Sequence, residues 1–340
     1  MRYQLLGRSG LRVSELCLGT MTFGEDWGWG SSKDTAKGVF DAFIEAGGNF
    51  LDTANLYTNG SSERILGEFI HADRNRYVVA TKYTLNMDGK GDPNAAGNHR
   101  KNMVLAVEAS LKRLNTEYID LYWVHAWDTL TPIEEMLRAF DDLVRAGKIL
   151  YIGCSDFPAW QVSRANTMAE LRGWTPFSAL QIEYSLIERT VERELIPMAN
   201  ELGLTVTPWA PLGAGILSGK YTREPGAKTS RGGALTEDRL RIADSVAEVA
   251  HDIGCSPAQV ALAWLRYQPG SVIPIIGART VEQIKDNLGS INVQLSPDHL
   301  SKLDEASKVD LGFPMKFLST DRFRQMISGG TWSAIDHRRK

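Results

Sequence analysis

Four residues of this sequence have the types and spacing to move a proton at a carbonyl or an alcohol: Asp52, Tyr57, Lys82 and His125. A phenol has an ordinary pKa of about 10, too high for easy proton donation and return near neutrality. A lysine cation beside it stabilises the phenolate. An aspartate against that lysine holds it in place and keeps it charged, while an imidazole offers a hydrogen bond to a substrate oxygen. Taken singly, each residue is better explained as an ion pair or a satisfied polar group. The chemistry follows only if they meet. Lys82 has a second reading, because a lysine at the end of a barrel strand also suits Schiff-base formation.

The segments that must bring these residues together alternate in character. Short apolar, β-branched runs occur at 15–18, 50–51, 77–82, 119–124, 150–154, 179–182, 204–209 and 272–275. Segments of helical period lie between them at 34–46, 62–70, 101–114, 133–146 and 191–202. Glycine stands at helix ends in Ala46-Gly47-Gly48 and Ala146-Gly147, and Thr131-Pro132 and Ser256-Pro257 place a capping hydroxyl before a first-turn proline. Eight such units predict an α/β fold closed as a (β/α)8 TIM barrel. A hairpin over 3–14, turning at Gly7-Arg8-Ser9-Gly10, precedes it. An open doubly wound sheet is the alternative, but Gly19-Thr20-Met21-Thr22-Phe23-Gly24 is not its G-x-G-x-x-G turn. A Gly-rich loop at 211–233 and an extra helical pattern at 237–251 predict an insertion after strand seven. The chain, 1–340, reads as a single barrel domain with a tail at 310–340 that could cover the pocket.

Asp52, Lys82, His125, Ser155, Gln181 and Trp209 each stand at the end of one of these runs, about one strand-helix unit apart. A parallel barrel gathers all its carboxyl ends on one face, where barrel enzymes place their chemistry. Trp27, Trp29 and Trp127 belong to the same face, either as a wall for an apolar or aromatic substrate or as packing between loops. The stretch from Pro211 to Tyr221 fails as a P-loop: Ala214 replaces the first glycine and Tyr221 the magnesium-binding hydroxyl. Its amides could still cradle a pyrophosphate. Gly277-Ala278-Arg279-Thr280 opens a helix, and an arginine at a helix N-terminus favours a phosphate. Gln283 and Asn287, one and two turns on, share a face that could read a base edge.

Composition excludes several classes. A net charge of −3 over 340 residues, with one strongly basic stretch at His337-Arg338-Arg339-Lys340, gives no support for a nucleic-acid partner. No apolar run approaches the length of a membrane span, and the N-terminal segment lacks a signal-peptide core, so a cytoplasmic protein is expected. Cys17, Cys154 and Cys255 are odd in number and far apart, as for buried thiols in a reducing compartment. His71, His99, His251, His299 and His337 show no ligand pairing, so no metal is expected. No long apolar helix face stands out to set an oligomeric state.

Ile273-Pro274-Ile275-Ile276-Gly277-Ala278-Arg279, with Gln283-Ile284 and Asn287, resembles the C-terminal signature of the aldo-keto reductases. Gly47-Gly48-Asn49-Phe50-Leu51-Asp52-Thr53-Ala54, with Tyr57 and Gly60, is similar to their N-terminal one. The likeness runs from about Tyr3 to Ser290 and is nearest to the bacterial and potassium-channel β-subunit-like branches. It implies an NADPH-dependent reductase of aldehydes or ketones, with Tyr57 as general acid, Lys82 and Asp52 tuning it, and His125 orienting the carbonyl. It further implies that Trp209 stacks on the nicotinamide, beside Ala210, while Ser155, Asp156 and Gln181 hold the carboxamide. Thr20 and Met21 would border the ribose and nicotinamide, and Leu212, Gly213, Gly215 and Lys220 the pyrophosphate. Gly277 and Arg279 would meet the 2′-phosphate, and Gln283 and Asn287 the adenine.

Two positions depart from the family pattern. Members often have Ser-Asn where this chain has Ser155-Asp156, and an ionised aspartate only accepts hydrogen bonds. Trp209 replaces a commoner tyrosine, as in the channel β subunits, and keeps the stacking surface. Those subunits supply the alternative function: a cofactor-loaded barrel that senses redox state as a regulatory subunit. The complete tetrad favours turnover, since those relatives typically carry asparagine where this chain has His125.

Overall fold

In the computed structural model, which describes residues 1–87, 89–220 and 235–336, the chain opens with the expected hairpin. Strands β1 (Tyr3–Leu5) and β2 (Arg12–Ser14) pair antiparallel. Eight parallel strands follow: β3 (Cys17–Gly19), β4 (Phe50–Asp52), β5 (Val78–Tyr83), β6 (Ile119–Val124), β7 (Ile149–Ser155), β8 (Phe177–Glu183), β9 (Thr205–Trp209) and β10 (Ile275–Ile276). Their spatial order is β10-β3-β4-β5-β6-β7-β8-β9. The ring closes through Val206 of β9, whose N–H donates to Ser271 O at 2.8 Å and whose carbonyl accepts from Ile273 at 2.9 Å. The architecture is the (β/α)8 TIM barrel.

The eighth strand is split relative to the expected run at 272–275. Val272 bridges to β9, whereas only Ile275–Ile276 pairs with β3. Pro274, with no N–H for a ladder, separates the two. The first barrel strand begins at Cys17 rather than residue 15, because Glu15 is drawn into ion pairs with Arg2 and Arg266.

Side chains pointing inward, among them Phe50, Leu121, Trp123 and Ile273, fill the barrel, and Leu6 and Val13 of the hairpin join them. The hairpin thereby plugs the amino end of the barrel, where Gly7 N–H donates to Thr205 Oγ1 at 2.7 Å. Gly7 has φ 55°, and a Cβ there would stand 2.2 Å from Ser178 O. Gly153 plays a packing role: its Cβ would lie 2.3 Å from the ring of Trp123, its register partner on β6. Chemistry is thus confined to the opposite end.

Outward-facing strand residues pack under α1 (Lys33–Glu45), α2 (Ser61–Ile70), α3 (Arg100–Leu114), α4 (Ile133–Arg145), α5 (Ala159–Arg172), α6 (Leu195–Leu202), α7 (Glu237–Ile253), α8 (Pro257–Arg266) and α9 (Val281–Gly289). Gly47 at φ 88° and Gly147 at φ 70° follow α1 and α4, as glycine at a helix end predicts. Ser256 caps α8 through Gln259 N–H. Thr131 does not cap α4: its hydroxyl donates to Asp128 instead, and Pro132 occupies the cap. Helix α6 begins at Leu195, since Thr190–Arg193 forms a separate 3-10 turn. Helices α7 and α8 both lie between β9 and β10, which is the expected insertion.

The chain ends in α10 (Pro297–Ala306), α11 (Met315–Leu318) and α12 (Asp321–Ile327). Arg193 and Arg241 hold this end by the carbonyls of Asp310 and Ala306, and no described residue of the tail lines the central cavity. Residues 221–233 of the Gly-rich loop and the basic stretch 337–340 lie outside the described residues. No helix among the described residues is long and apolar enough to cross a membrane. Cys17 and Cys154 are buried and Cys255 is half-buried.

Candidate active site

The adjacency of β4, β5 and β6 brings the four chemical residues together at the carboxyl end of the barrel. Lys82 is wholly buried, and its ammonium donates to Asp52 Oδ2 at 2.5 Å, to Thr53 O at 2.8 Å and to Tyr57 Oη at 3.2 Å. Its three protons are therefore all placed. Asp52 Oδ1 accepts from Gln181 Nε2 at 3.1 Å, so the aspartate is fixed from two sides. The Tyr57 and His125 rings meet edge to face with centroids 5.9 Å apart.

Tyr57 reaches this point on a tight turn. Thr58 and Asn59 both take left-handed conformations, at φ 45° and 52°, ahead of Gly60 at φ 84°. Two non-glycine residues in this region store strain, which the surroundings must hold. Thr58 is buried, donates to Phe23 O at 2.7 Å and accepts Ser62 N–H at 3.0 Å. Trp27 covers the other side of Tyr57 edge-on at 6.4 Å, and its indole N–H donates to Asn59 Oδ1 at 3.3 Å.

Electrostatics assigns the proton positions. Burial alone would lower Lys82, but Asp52 and Tyr57 beside it outweigh that and hold its pKa above the usual lysine value. Burial raises Tyr57 by more than Lys82 lowers it, so the hydroxyl remains a neutral donor. The expected depression of the phenol by Lys82 is present but does not win. Burial and the Lys82 charge push His125 down to about 3, which keeps the imidazole neutral. Its Nδ1 is buried without a hydrogen-bond partner among the described residues.

A cavity of about 500 Å³ runs from this cluster across the barrel mouth to α9. Of the residues expected at it, Met21, Trp29, Asp52, Tyr57, His125, Ser155, Asp156, Gln181, Trp209 and Ala210 line its inner part. Leu212, Gly215, Lys220, Gly277, Arg279, Gln283 and Asn287 line the remainder. Trp209 Nε1 donates to Asp156 Oδ1 at 3.1 Å. Arg279 N–H donates to Gln283 Oε1 and Asn287 Nδ2 to Gly277 O, at 2.8 and 3.2 Å, so each amide keeps its other polar atom for a ligand.

Other expectations are corrected. Thr20 does not line the cavity; it is buried, and its hydroxyl engages Asp52 O at 3.0 Å and Ser62 Oγ at 2.8 Å, buttressing the end of β4. Gly213 lies behind the cavity against Ile187. The Gly-rich turn is not a ring of open amides, since Gly213 N–H bonds Ala210 O and those of Gly215 and Leu217 bond Leu212 O. Trp127 turns away to Phe157 and Trp160, with centroids at 6.5 and 5.6 Å, which is the packing reading. Trp27 touches Tyr57 without lining the cavity. Missed residues include Ser218, Ala258, Leu262 and Asp286. Asp286 was legible in principle, lying one turn from Gln283 on the same face.

Known proteins are similar to this chain over most of its length. A family model described as Aldo/keto reductase family matches residues 15–308. The norsolorinic acid reductase of Emericella nidulans is 42% identical over 320 residues, covering 91% of this chain and 82% of that protein. The norsolorinic acid reductase of Aspergillus flavus is 40% identical, over 96% of this chain and 87% of that protein. The aryl-alcohol dehydrogenase (NADP(+)) of Phanerodontia chrysosporium is 37% identical, over 92% of this chain and 87% of that protein.

Proposed function

This chain belongs to the aldo/keto reductase family, and from that premise we propose that it reduces an aldehyde or ketone with NADPH, with Tyr57 supplying the proton. The observation that carries the reading is the buried Lys82 ammonium, shared among Asp52, the Thr53 carbonyl and the Tyr57 hydroxyl. Tyr57 donates to the carbonyl oxygen, and Lys82 stabilises the phenolate left behind. Asp52 keeps the lysine charged throughout. Neutral His125 offers a hydrogen bond to the same oxygen.

The cavity fits a dinucleotide by its donor set. Trp209 gives a flat aromatic surface at one end, while Arg279, Lys220 and the start of α9 supply positive charge and N–H groups toward the other. Gln283 and Asn287 would read the base. An arginine at that end favours a 2′-phosphate, hence NADPH, in keeping with the NADP(+) in the name of one relative. When bound, the nicotinamide supplies the hydride. Trp29 on the cavity wall and Trp27 on the Tyr57 ring favour an apolar or aromatic substrate, and relatives named for aryl alcohols support that class.

The test is an indole-fluorescence titration with NADPH and NADH, followed by NADPH consumption with benzaldehyde. Saturable NADPH quenching and turnover are expected. Failure of both nucleotides to bind would overturn the reading, and borohydride trapping of Lys82 with an aldehyde would then test Schiff-base chemistry.

A further inference from the structure

We infer that Asp156 sets the redox preference of the site, favouring the oxidised, cationic nicotinamide over the reduced, neutral one. The inference rests on the reading above, in which the nicotinamide lies on Trp209.

Asp156 follows β7 directly with φ 52°, a left-handed conformation that aspartate tolerates better than most residues. Its N–H donates to Gln181 O at 3.2 Å, fixing the backbone, and the side chain is exposed into the cavity. One carboxylate oxygen accepts the Trp209 indole N–H at 3.1 Å. The negative charge is therefore tied to the edge of the aromatic surface. The two departures from the family pattern noted in the sequence form one pair, with the indole supplying the N–H that the carboxylate accepts.

No lysine or arginine forms an ion pair with Asp156 among the described residues, and Lys82 is already matched by Asp52. Glu183, register partner of Trp209, adds a second carboxylate nearby: burial, then Glu188 and Asp156, raise its pKa, and Arg239 opposes them. At the cavity wall partial burial raises the Asp156 pKa, and the Trp209 indole and the Lys82 charge oppose that shift.

The two cofactor states differ at the ring by one positive charge. A fixed anion beside that ring attracts only the oxidised state, and a ligand shifts an equilibrium by its differential affinity alone. By linkage, the ratio of the two dissociation constants equals the shift of the bound redox equilibrium relative to free cofactor. Asp156 thus draws the bound cofactor equilibrium toward the oxidised form and slows release of that form after carbonyl reduction.

The decisive experiment measures dissociation constants for NADP+ and NADPH by indole quenching, in wild type and Asp156→Asn. The asparagine oxygen can still accept from Trp209 and its backbone tolerates the left-handed turn, so the substitution removes charge while keeping shape. Asp156→Ser provides a second neutral variant. We expect the NADP+ constant to rise about ten-fold and the NADPH constant to change less than about two-fold in both variants. Equal changes for the two nucleotides, or no change, would overturn the inference. If wild type binds neither nucleotide, the functional reading itself fails.

Discussion

The buried hydroxyl of Thr84 donates to Asn98 Oδ1 at 2.8 Å and accepts the His125 backbone N–H at 3.2 Å. The residue holds φ 95°, a conformation a β-branched side chain seldom adopts. Asn98 in turn donates to Ala126 O at 3.0 Å and, through its own N–H, to Asp128 Oδ2 at 2.7 Å. The loop after the lysine strand is thereby clamped to the loop carrying the imidazole.

Thr84→Val keeps the shape but leaves Asn98 Oδ1 and the His125 N–H without their partner. Unsatisfied buried groups cost about 1–3 kcal/mol each. We expect a lower melting temperature and a fall in kcat/KM of about ten-fold, with nucleotide affinity unchanged, because the disturbance falls on the imidazole and not on the proposed cofactor cavity. Unaltered kcat/KM in a destabilised variant would show the clamp to be structural only.

Tyr57→Phe removes the proposed proton donor while Lys82 keeps its bonds to Asp52 and Thr53 O. Loss of a positioned general acid lowers kcat by roughly 10²–10⁴-fold. Fluorescence titration should show NADPH affinity within about two-fold of wild type, since neither the charge nor the aromatic wall is lost. Loss of affinity in parallel with rate would argue against a role limited to proton transfer.

How much of this was legible in the sequence depends on what each residue's position rests upon. Asp52, Lys82, His125, Ser155, Gln181 and Trp209 could be gathered on one face because a parallel barrel sends every strand end the same way. Thr20 and Trp127 sit at equally suggestive positions. Their side chains nevertheless turn to Ser62 and to Phe157 and Trp160, contacts between elements distant in sequence. The break in the eighth strand was written in Pro274, but which neighbour each half would meet depended on closure of the ring. The balance at Tyr57 was not legible either, since burial has no sequence signal as direct as a lysine on the next strand.

Arg279→Ala isolates the proposed 2′-phosphate contact. The backbone of Arg279 is held independently of its side chain: its N–H donates to Gln283 Oε1 at 2.8 Å, and its carbonyl accepts from Ser31 Oγ at 3.1 Å. Truncation should therefore leave the loop in place. Charge-assisted bonds of an arginine to phosphate are worth about 1.5–3 kcal/mol, so NADPH affinity should fall roughly ten- to hundred-fold while NADH affinity barely changes. A parallel loss for both cofactors in titration would sink the assignment.

His125 gives a pH dependence whose sign follows from its depressed pKa. In the folded protein the imidazole titrates at about 3, whereas a free histidine does so near 6.5. Below 6.5 the unfolded chain takes up a proton that the folded site resists, so protonation favours unfolding. The stability contributed by this group is complete above pH 6.5 and is lost progressively as pH falls toward 3. At pH 5 the loss amounts to as much as about 2 kcal/mol. Urea unfolding of the nucleotide-free protein at pH 7 and pH 5 should show that increment in wild type and lack it in His125→Gln. The same neutrality predicts that kcat/KM in wild type carries no acid limb near 6.5. An acid limb there, absent from the glutamine variant, would mean that the imidazole titrates normally and that His125 works at the carbonyl partly as a cation.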